Sequence, residues 1–581
     1  EDVFDIVADR VREPDFKKQR RAAQTRASDR AIRDEKRPHA SLDEIYEELE
    51  SVYGREKSSE IRSAELEAEN DALYANPEIK AVYDYAISRH KRVIAVTDMY
   101  LSASQIEGFL RKSGYRDIAK VYCSADLGKA KFNEQIFQEV LRIEKTEPLK
   151  MLHIGDSRLH DYEFPRKLGI RTFLYSPETS AAECDEFYGS DDLIFGAVYR
   201  SLYKKSRGFW YGLGLRVGGP IYLGLYLWLK SLGVLKSEKL YLLSRDGYNL
   251  WRLLGKLGYK NARYVETSRR ALLLAGMSSV NEGNLQQLPP FTFNQTVRDI
   301  LGFMNLPADR IKGLEECGFS GPDDRVRNIE DMQSFKKLYS LNSEVFLSVC
   351  EKERKNAAAY LASLGLNDSK EAVFFDCGWS GSSQYLLEKL LNAAGKPCRT
   401  DFYYFGIKKS QKAEAQLSGK SFRTYAFGPD QESDELERIV NECTVVTELF
   451  FSAPQSSVKC YSDEGKPVFD DDSFNQNNKA LSDGISDFVA AALPLVEKFG
   501  IKVTPEMSLR ALRHLIENPS ERESIEIGNI RDFDSWTIED SNPKYVGYIT
   551  QKQFDAHQAE IYWPQGIFRR PDIPAALKRQ V

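Results

Sequence analysis

The sequence predicts an α/β protein built on doubly wound parallel sheets, and three observations predict it. Residues 1–90 place apolar side chains at helical spacing in a highly charged background. From residue 92 short apolar runs of strand length alternate with helical periods, and a second series of the same kind begins at Lys239. Such alternation gives parallel strands joined by crossover helices, with ligands at the carboxyl ends of the strands.

The elements follow in order. Val3, Ile6, Val7 and Val11 fall near helical spacing, and Leu42, Ile45, Tyr46 and Leu49 repeat it behind Ser41, an expected N-cap. The stretch Lys17–Arg37 holds nine Lys or Arg residues interrupted by Asp29, Asp34 and Glu35, which reads as a solvated helix face rather than an anion-binding patch. Strands are then predicted at Arg92–Val96, Lys120–Cys123, Lys150–Ile154 and Arg171–Tyr175. Helices at Ala103–Ser113, Asn133–Ile143 and Tyr162–Leu168 separate them. Pro177–Asp192, rich in Ser, Glu and Asp, reads as a linker. The second series predicts strands at Lys239–Leu243, Ala262–Val265, Ala372–Phe375 and Thr400–Gly406. Its helices are Leu250–Leu257 and Ser382–Leu391, with a mainly helical stretch over 290–368. Beyond 455 come a turn-rich piece (Cys460–Asn478), helices near Asp483–Phe499 and Leu509–Glu517, and an irregular tail.

At roughly 100–200 residues per domain, 581 residues suggest three or four domains. The expected division is a helical region over 1–90, an α/β core over 91–178, a second α/β domain with a helical insert over 200–455, and a mixed region over 456–581. Lys plus Arg is 81 and Asp plus Glu is 87, a net charge of −6, which argues against nucleic-acid binding. The eight cysteines form no CxxC pair and none has a His at zinc spacing, so a reducing, cytoplasmic setting is expected. The longest apolar run, Val217–Leu229, is 13 residues. A membrane span needs about twenty, so the run reads as a buried helix.

Three strand ends of the first series carry polar residues. VIAV ends in Thr97-Asp98, Lys131 follows in GKAKFNEQIF, and MLHI ends in Gly155-Asp156-Ser157, with Asp161 five residues after Asp156. Chemistry on a phosphoryl group asks for such a set. A hydroxyl and a strand-end amide hold a phosphate oxygen, an ammonium offsets its charge, and two carboxylates on one loop hold a hard Mg²⁺. The plainer reading of Asp156 and Asp161 is acidic capping of a helix N-terminus. His153 reads as a core residue, His160 as exposed, and Asp98 as a cap for the helix that follows it.

Together these segments resemble the haloacid dehalogenase-like (HAD) superfamily over roughly residues 1–176. VIAVTD looks like its second motif, with Thr97 as the phosphate-binding hydroxyl. Gly128–Phe137 matches the spacing of its third motif and selects Lys131. HIGDSRLHD looks like its fourth, with Asp156 and Asp161 as the metal-side acids. The resemblance implies a Rossmann-like core with a helical cap, a Mg²⁺ cofactor, and attack by an Asp on a phosphomonoester. That nucleophile belongs to a first motif at the end of a hydrophobic strand. Asp2-Val3-Phe4-Asp5 has no strand before it, so the chain is expected to begin downstream of the missing strand and to lack the attacking Asp.

In the second series, LYLLSRDGY places Ser244, Arg245, Asp246 and Gly247 after a buried strand, and AVFFDCGWSGSSQ places Asp376, Gly378, Ser380, Gly381, Ser382 and Ser383 between strand and helix. A Gly/Ser-rich loop opening a helix presents free N–H groups to a phosphate or another anion. Arg269 and Arg270 could clamp the same ligand. The alternative is a tight strand–helix turn that needs Gly, with the arginines paired to surface acids. Cys377 reads as a buried structural thiol. The whole layout is similar to large bacterial predicted hydrolases of the HAD superfamily, often associated with surface-polysaccharide and glycosyltransferase functions.

The resulting expectation is a Mg²⁺-dependent phosphohydrolase acting on a phosphorylated small molecule, with a sugar-related one as the case the resemblance suggests. Thr97, Lys131 and Asp156 would be catalytic, and Asp156 and Asp161 would hold the metal. Arg245, Asp246, Arg269, Arg270, Asp376, Ser380, Gly381 and Ser382 would form a second ligand site. The rival is a non-catalytic sugar-nucleotide or anion-binding scaffold with a degenerate HAD-like domain.

Overall fold

Amphipathic periods and strand-length runs resolve into two compact units, residues 1–185 with 189–201, and residues 186–188 with 202–581. The structure, a computed structural model, describes residues 2–175, 188, 193–203, 205–285, 287–288, 295–326, 329–366, 369–431, 433–471, 474–531, 545–555 and 561–581. Apart from Tyr188, the expected linker Pro177–Asp192 lies outside the described residues.

The first unit opens with five helices, α1 (Asp2–Val11), α2 (Phe16–Glu35), α3 (Leu42–Tyr53), α4 (Arg55–Ala72) and α5 (Pro77–Ser88). Ser41 caps α3 as expected, in a reciprocal capping box with Glu44. Val7, Val11, Ile45 and Leu49 close the helical core. The basic stretch on α2 is not wholly solvated. Its Arg20 is 0% exposed, because α2 packs on α1 and α3 and the guanidinium reaches Glu65 of α4.

Four short strands follow. β1 (Ile94–Thr97) pairs in parallel with β2 (Lys120–Cys123), from Ile94 opposite Lys120 to Thr97 opposite Cys123. β3 (Leu152–Gly155) pairs in parallel with β4 (Arg171–Leu174). The parallel α/β pattern is as expected, but the pairing forms two separate two-stranded sheets, since β1 and β3 make no ladder with each other. Among the helices between them are α6 (Ala103–Lys112) and α7 (Gln135–Glu144). The helix expected at Tyr162–Leu168 is a π-helical turn, Arg158–Glu163, that runs into the short helix Phe164–Lys167. On α7, Ile136 and Phe137 form a small core with Ile170, against which Val96 of β1 and Met151 pack.

The second unit is built on one parallel sheet. In chain order its central elements are α8 (Gly219–Ser231), β5 (Leu240–Leu243), α9 (Tyr248–Lys256), β6 (Ala262–Val265), α10 (Arg269–Gly276), β7 (Glu371–Trp379), α11 (Ser382–Ala393), β8 (Arg399–Ile407) and β9 (Ser421–Phe427). The strand order is β6-β5-β7-β8-β9. Phe374 of β7 stacks on Phe402 of β8 with ring centroids 4.8 Å apart, tying the middle of the sheet together. The run Val217–Leu229 is a buried helix as expected, and among the described residues no helix is long and apolar enough to cross a membrane. Downstream lie an antiparallel hairpin, β10 (Val458–Tyr461) with β11 (Pro467–Phe469), and the long helix α12 (Gln476–Phe499), which packs on α8.

Candidate active site

In the first unit the loops after β1 and β3 meet at Lys131. Asp98, directly after β1, accepts the Lys131 backbone N–H on both carboxylate oxygens, at 3.1 and 2.9 Å. It therefore anchors the lysine loop and does not cap the next helix, whose cap is Ser102 with Gln105. The Lys131 ammonium donates to Asp161 Oδ1 at 2.7 Å. His153 Nε2 lies 2.9 Å from the same oxygen, and the Ser157 N–H donates to Oδ2 at 3.1 Å. His153, expected in the core, thus stands half-buried beside the acid, while His160, expected exposed, is half-buried and stacks on Phe164 at 5.8 Å.

Burial by itself would raise the Asp161 carboxyl. The hydrogen bonds from His153 and Lys131, the lysine charge and the Ser157 N–H outweigh it and hold the group well below the usual carboxylate range. Asp161 is a permanent counter-charge that fixes Lys131. The chain leaves room for it only because residue 155 is glycine, where a Cβ would fall 2.4 Å from Asp161 Cγ. Gly155→Ala should push Asp161 off Lys131 and destabilise the unit by about 1–3 kcal/mol, and an unchanged thermal midpoint would show that the loop yields freely.

Thr97 closes β1, half-buried, and Asp156 stands exposed after β3. These are the two strand ends that Lys131 bridges. Asp161 already has three nitrogen partners, and among the described residues no three His, Cys, Asp or Glu groups come together as a cation site. The donor set suits only a cation that keeps most of its waters, with Asp156 as the free carboxylate. Asp2 lies inside a helix, so it does not occupy the strand end that an attacking Asp would need.

In the second unit the carboxyl ends of β5 and β7 open on a cavity of about 790 Å³. Ser244, Arg245 and Asp246 line it after β5, Arg269 at the start of α10, Asp376 from within β7, Ser380 from the turn and Ser382 at the start of α11. Strand β7 runs on to Trp379, so Asp376 and Gly378, expected between strand and helix, belong to the strand. Two expected ligand residues fall outside the lining. Arg270 is buried and turned away, its Nε donating to the Phe303 carbonyl at 3.0 Å and its Nη1 3.3 Å from Asp470. Gly381 serves the backbone. It starts α11 at φ +69°, and a Cβ there would meet Leu417 at 2.4 Å.

The Asp246 and Asp376 carboxyls lie side by side in the cavity and act on each other electrostatically. Burial pushes both up, and the charge of Asp376 adds to the effect on Asp246, which reaches about 8. Two neighbouring carboxyls raised in this way favour a state in which a proton lies between them. Glu448 also lines the cavity, from the helix Thr444–Leu449, and accepts the Trp379 indole N–H at 2.7 Å. Sequence reasoning missed it, since it lies in no motif and about 70 residues from the loop it joins. Cys377 is buried and its thiol is pushed well up, first by burial and then by Asp246, as befits a structural cysteine.

No family model matches the chain. Among curated proteins it is similar to haloacid dehalogenase-like hydrolase domain-containing protein 3 from Homo sapiens, with 39% identity over 71 residues. The matched stretch is 12% of this chain and 28% of that relative. A likeness of this extent supports the HAD superfamily at most.

Proposed function

We propose that the first unit is a phosphohydrolase of HAD type acting on a phosphorylated small molecule. The observation that carries the reading is Lys131, half-buried, fixed by its backbone to Asp98 and by its ammonium to Asp161 where two parallel strands end. Lys131 would offset the charge on a phosphoryl group. The Thr97 hydroxyl would donate to one of its oxygens, and Asp161 would keep the ammonium in place. Asp156 would hold a Mg²⁺ that neutralises further phosphate charge. A sugar phosphate as substrate and a link to glycosyltransferases and polysaccharide biosynthesis rest on the sequence resemblance, and a cytoplasmic setting rests on the scattered cysteines.

Asp98, the strand-end carboxylate next to Thr97, is engaged by the Lys131 backbone. The chain should therefore bind inorganic phosphate yet turn over p-nitrophenyl phosphate poorly. Lys131→Ala should weaken phosphate binding by about tenfold or more, as expected when a hydrogen bond to a charged group is lost. Equal binding by that variant would defeat the reading. Rapid hydrolysis by the wild type would show that a nucleophile is already in place, with Asp98 the first residue to test.

A further inference from the structure

The cavity of the second unit shares no residue with the Lys131 site, and its contents ask for a ligand. Arg245 and Arg269 both line it, and among the described residues neither guanidinium has an ion pair or a hydrogen-bond partner. Some other arginines of this unit are paired with acids, as Arg252 is with Asp483 at 2.8 Å. At the wall the Thr267 hydroxyl is buried beside the Tyr461 phenol, which gives its own proton to the Glu266 carbonyl at 3.0 Å. Helix α11 begins at Gly381 without a side-chain cap, so the first N–H groups of a 12-residue helix are left open beside Ser382 and Ser383. Two guanidiniums without an ion-pair partner, an uncapped helix start and a buried hydroxyl converge on one space of ligand size.

We propose that this cavity is a binding site for a phosphate ester of a hydroxyl-rich molecule. Arg245, Arg269 and the opening turn of α11 hold the phosphate, and the Asp246–Asp376 pair holds hydroxyl groups. A dianionic head suits two forked guanidiniums and a helix N-terminus together. The acid pair is not a second anion clamp. With one shared proton it both donates and accepts hydrogen bonds, which matches an alcohol and not another phosphate. Glu448 does not spoil the match, because burial favours its neutral form and Trp379 occupies one of its oxygens.

The test is calorimetry on the full chain carrying Lys131→Ala, so that the first unit's site does not contribute and the two readings fail separately. The probes are glucose 6-phosphate, uridine diphosphate glucose, inorganic phosphate, glucose and citrate. A phosphorylated sugar should bind, more tightly than inorganic phosphate or citrate, and glucose alone should not. Arg269→Ala, an exposed position that the fold tolerates, should weaken that binding by about 10- to 150-fold. Arg245→Ala should do the same. Asp376→Asn should erase the preference for the ester over inorganic phosphate. The proposal is overturned if neither phosphorylated sugar binds, if citrate binds as well as the esters, or if both arginine variants bind like the parent.

Discussion

Glu65→Gln should destabilise the first unit by about 3–5 kcal/mol, the usual loss when one partner of a buried ion pair is removed. Arg20 and Glu65 are 0% and 1% exposed at their side chains. The guanidinium donates from Nε to Oε2 at 2.9 Å and from Nη2 to Oε1 at 2.8 Å, and the Tyr46 phenol donates to Oε2 at 2.6 Å. Arg20 also lies over the rings of Phe4 and Tyr100, at 4.8 and 4.9 Å. A neutral amide in place of the carboxylate would leave a desolvated cation in the middle of α1, α2 and α4. Arg26→Ala is the control, because the Arg26–Glu48 pair at 3.0 Å is solvent-exposed on the arginine side, and such pairs are worth about 0–1 kcal/mol. Urea unfolding of both variants decides the matter. A loss below about 1 kcal/mol for Glu65→Gln would mean that the pair contributes nothing beyond a surface contact.

Arg20 also marks where sequence reading stops. Nine cations between Lys17 and Arg37 look alike in one dimension, and only Glu65, 45 residues away, makes one of them a core residue. Local signals did better. Lys120–Cys123 and Ala262–Val265 are strands to the residue, because apolar β-formers there are bounded by turn-forming sequence. The Ser41 cap was legible for the same reason, its partner Glu44 being three residues on. Strand β9 was missed because Arg423 and Thr424 break the apolar run that would have announced it. Lys131 and Asp161 were singled out from strand-end placement and their motif, but their contact with His153 depends on a loop closing back over β3. In the second unit the strand ends pointed to Arg245, Asp246, Arg269 and Asp376 as neighbours, since parallel strands send their carboxyl ends to one side. The turn of Arg270 toward Asp470 and the arrival of Glu448 are tertiary facts with no local trace.

The Asp246–Asp376 pair should give the second unit a falling stability between about pH 5 and pH 8. An ordinary carboxyl in the unfolded chain loses its proton near pH 4, whereas the folded pair keeps one until about pH 8. Over that window the folded state binds one more proton than the unfolded state, so unfolding free energy drops by about 1.4 kcal/mol per pH unit. The loss is complete above pH 8 and absent below pH 4. Arg245 and Arg269 pull the pair toward ionisation, and Glu448 and Cys377 oppose it, so the shared proton is held against the nearest cations. Asp376→Asn removes the need for it, since the amide can donate to an ionised Asp246. Measured by urea unfolding at pH 5, 6, 7 and 8, the difference between wild type and Asp376→Asn should grow steadily in favour of the variant. A constant difference would show that the two carboxyls titrate independently. A steady rise would mean that the wild type gives up stability at neutral pH to keep two acids facing an open cavity, a sacrifice expected of a site kept for a ligand rather than for the fold.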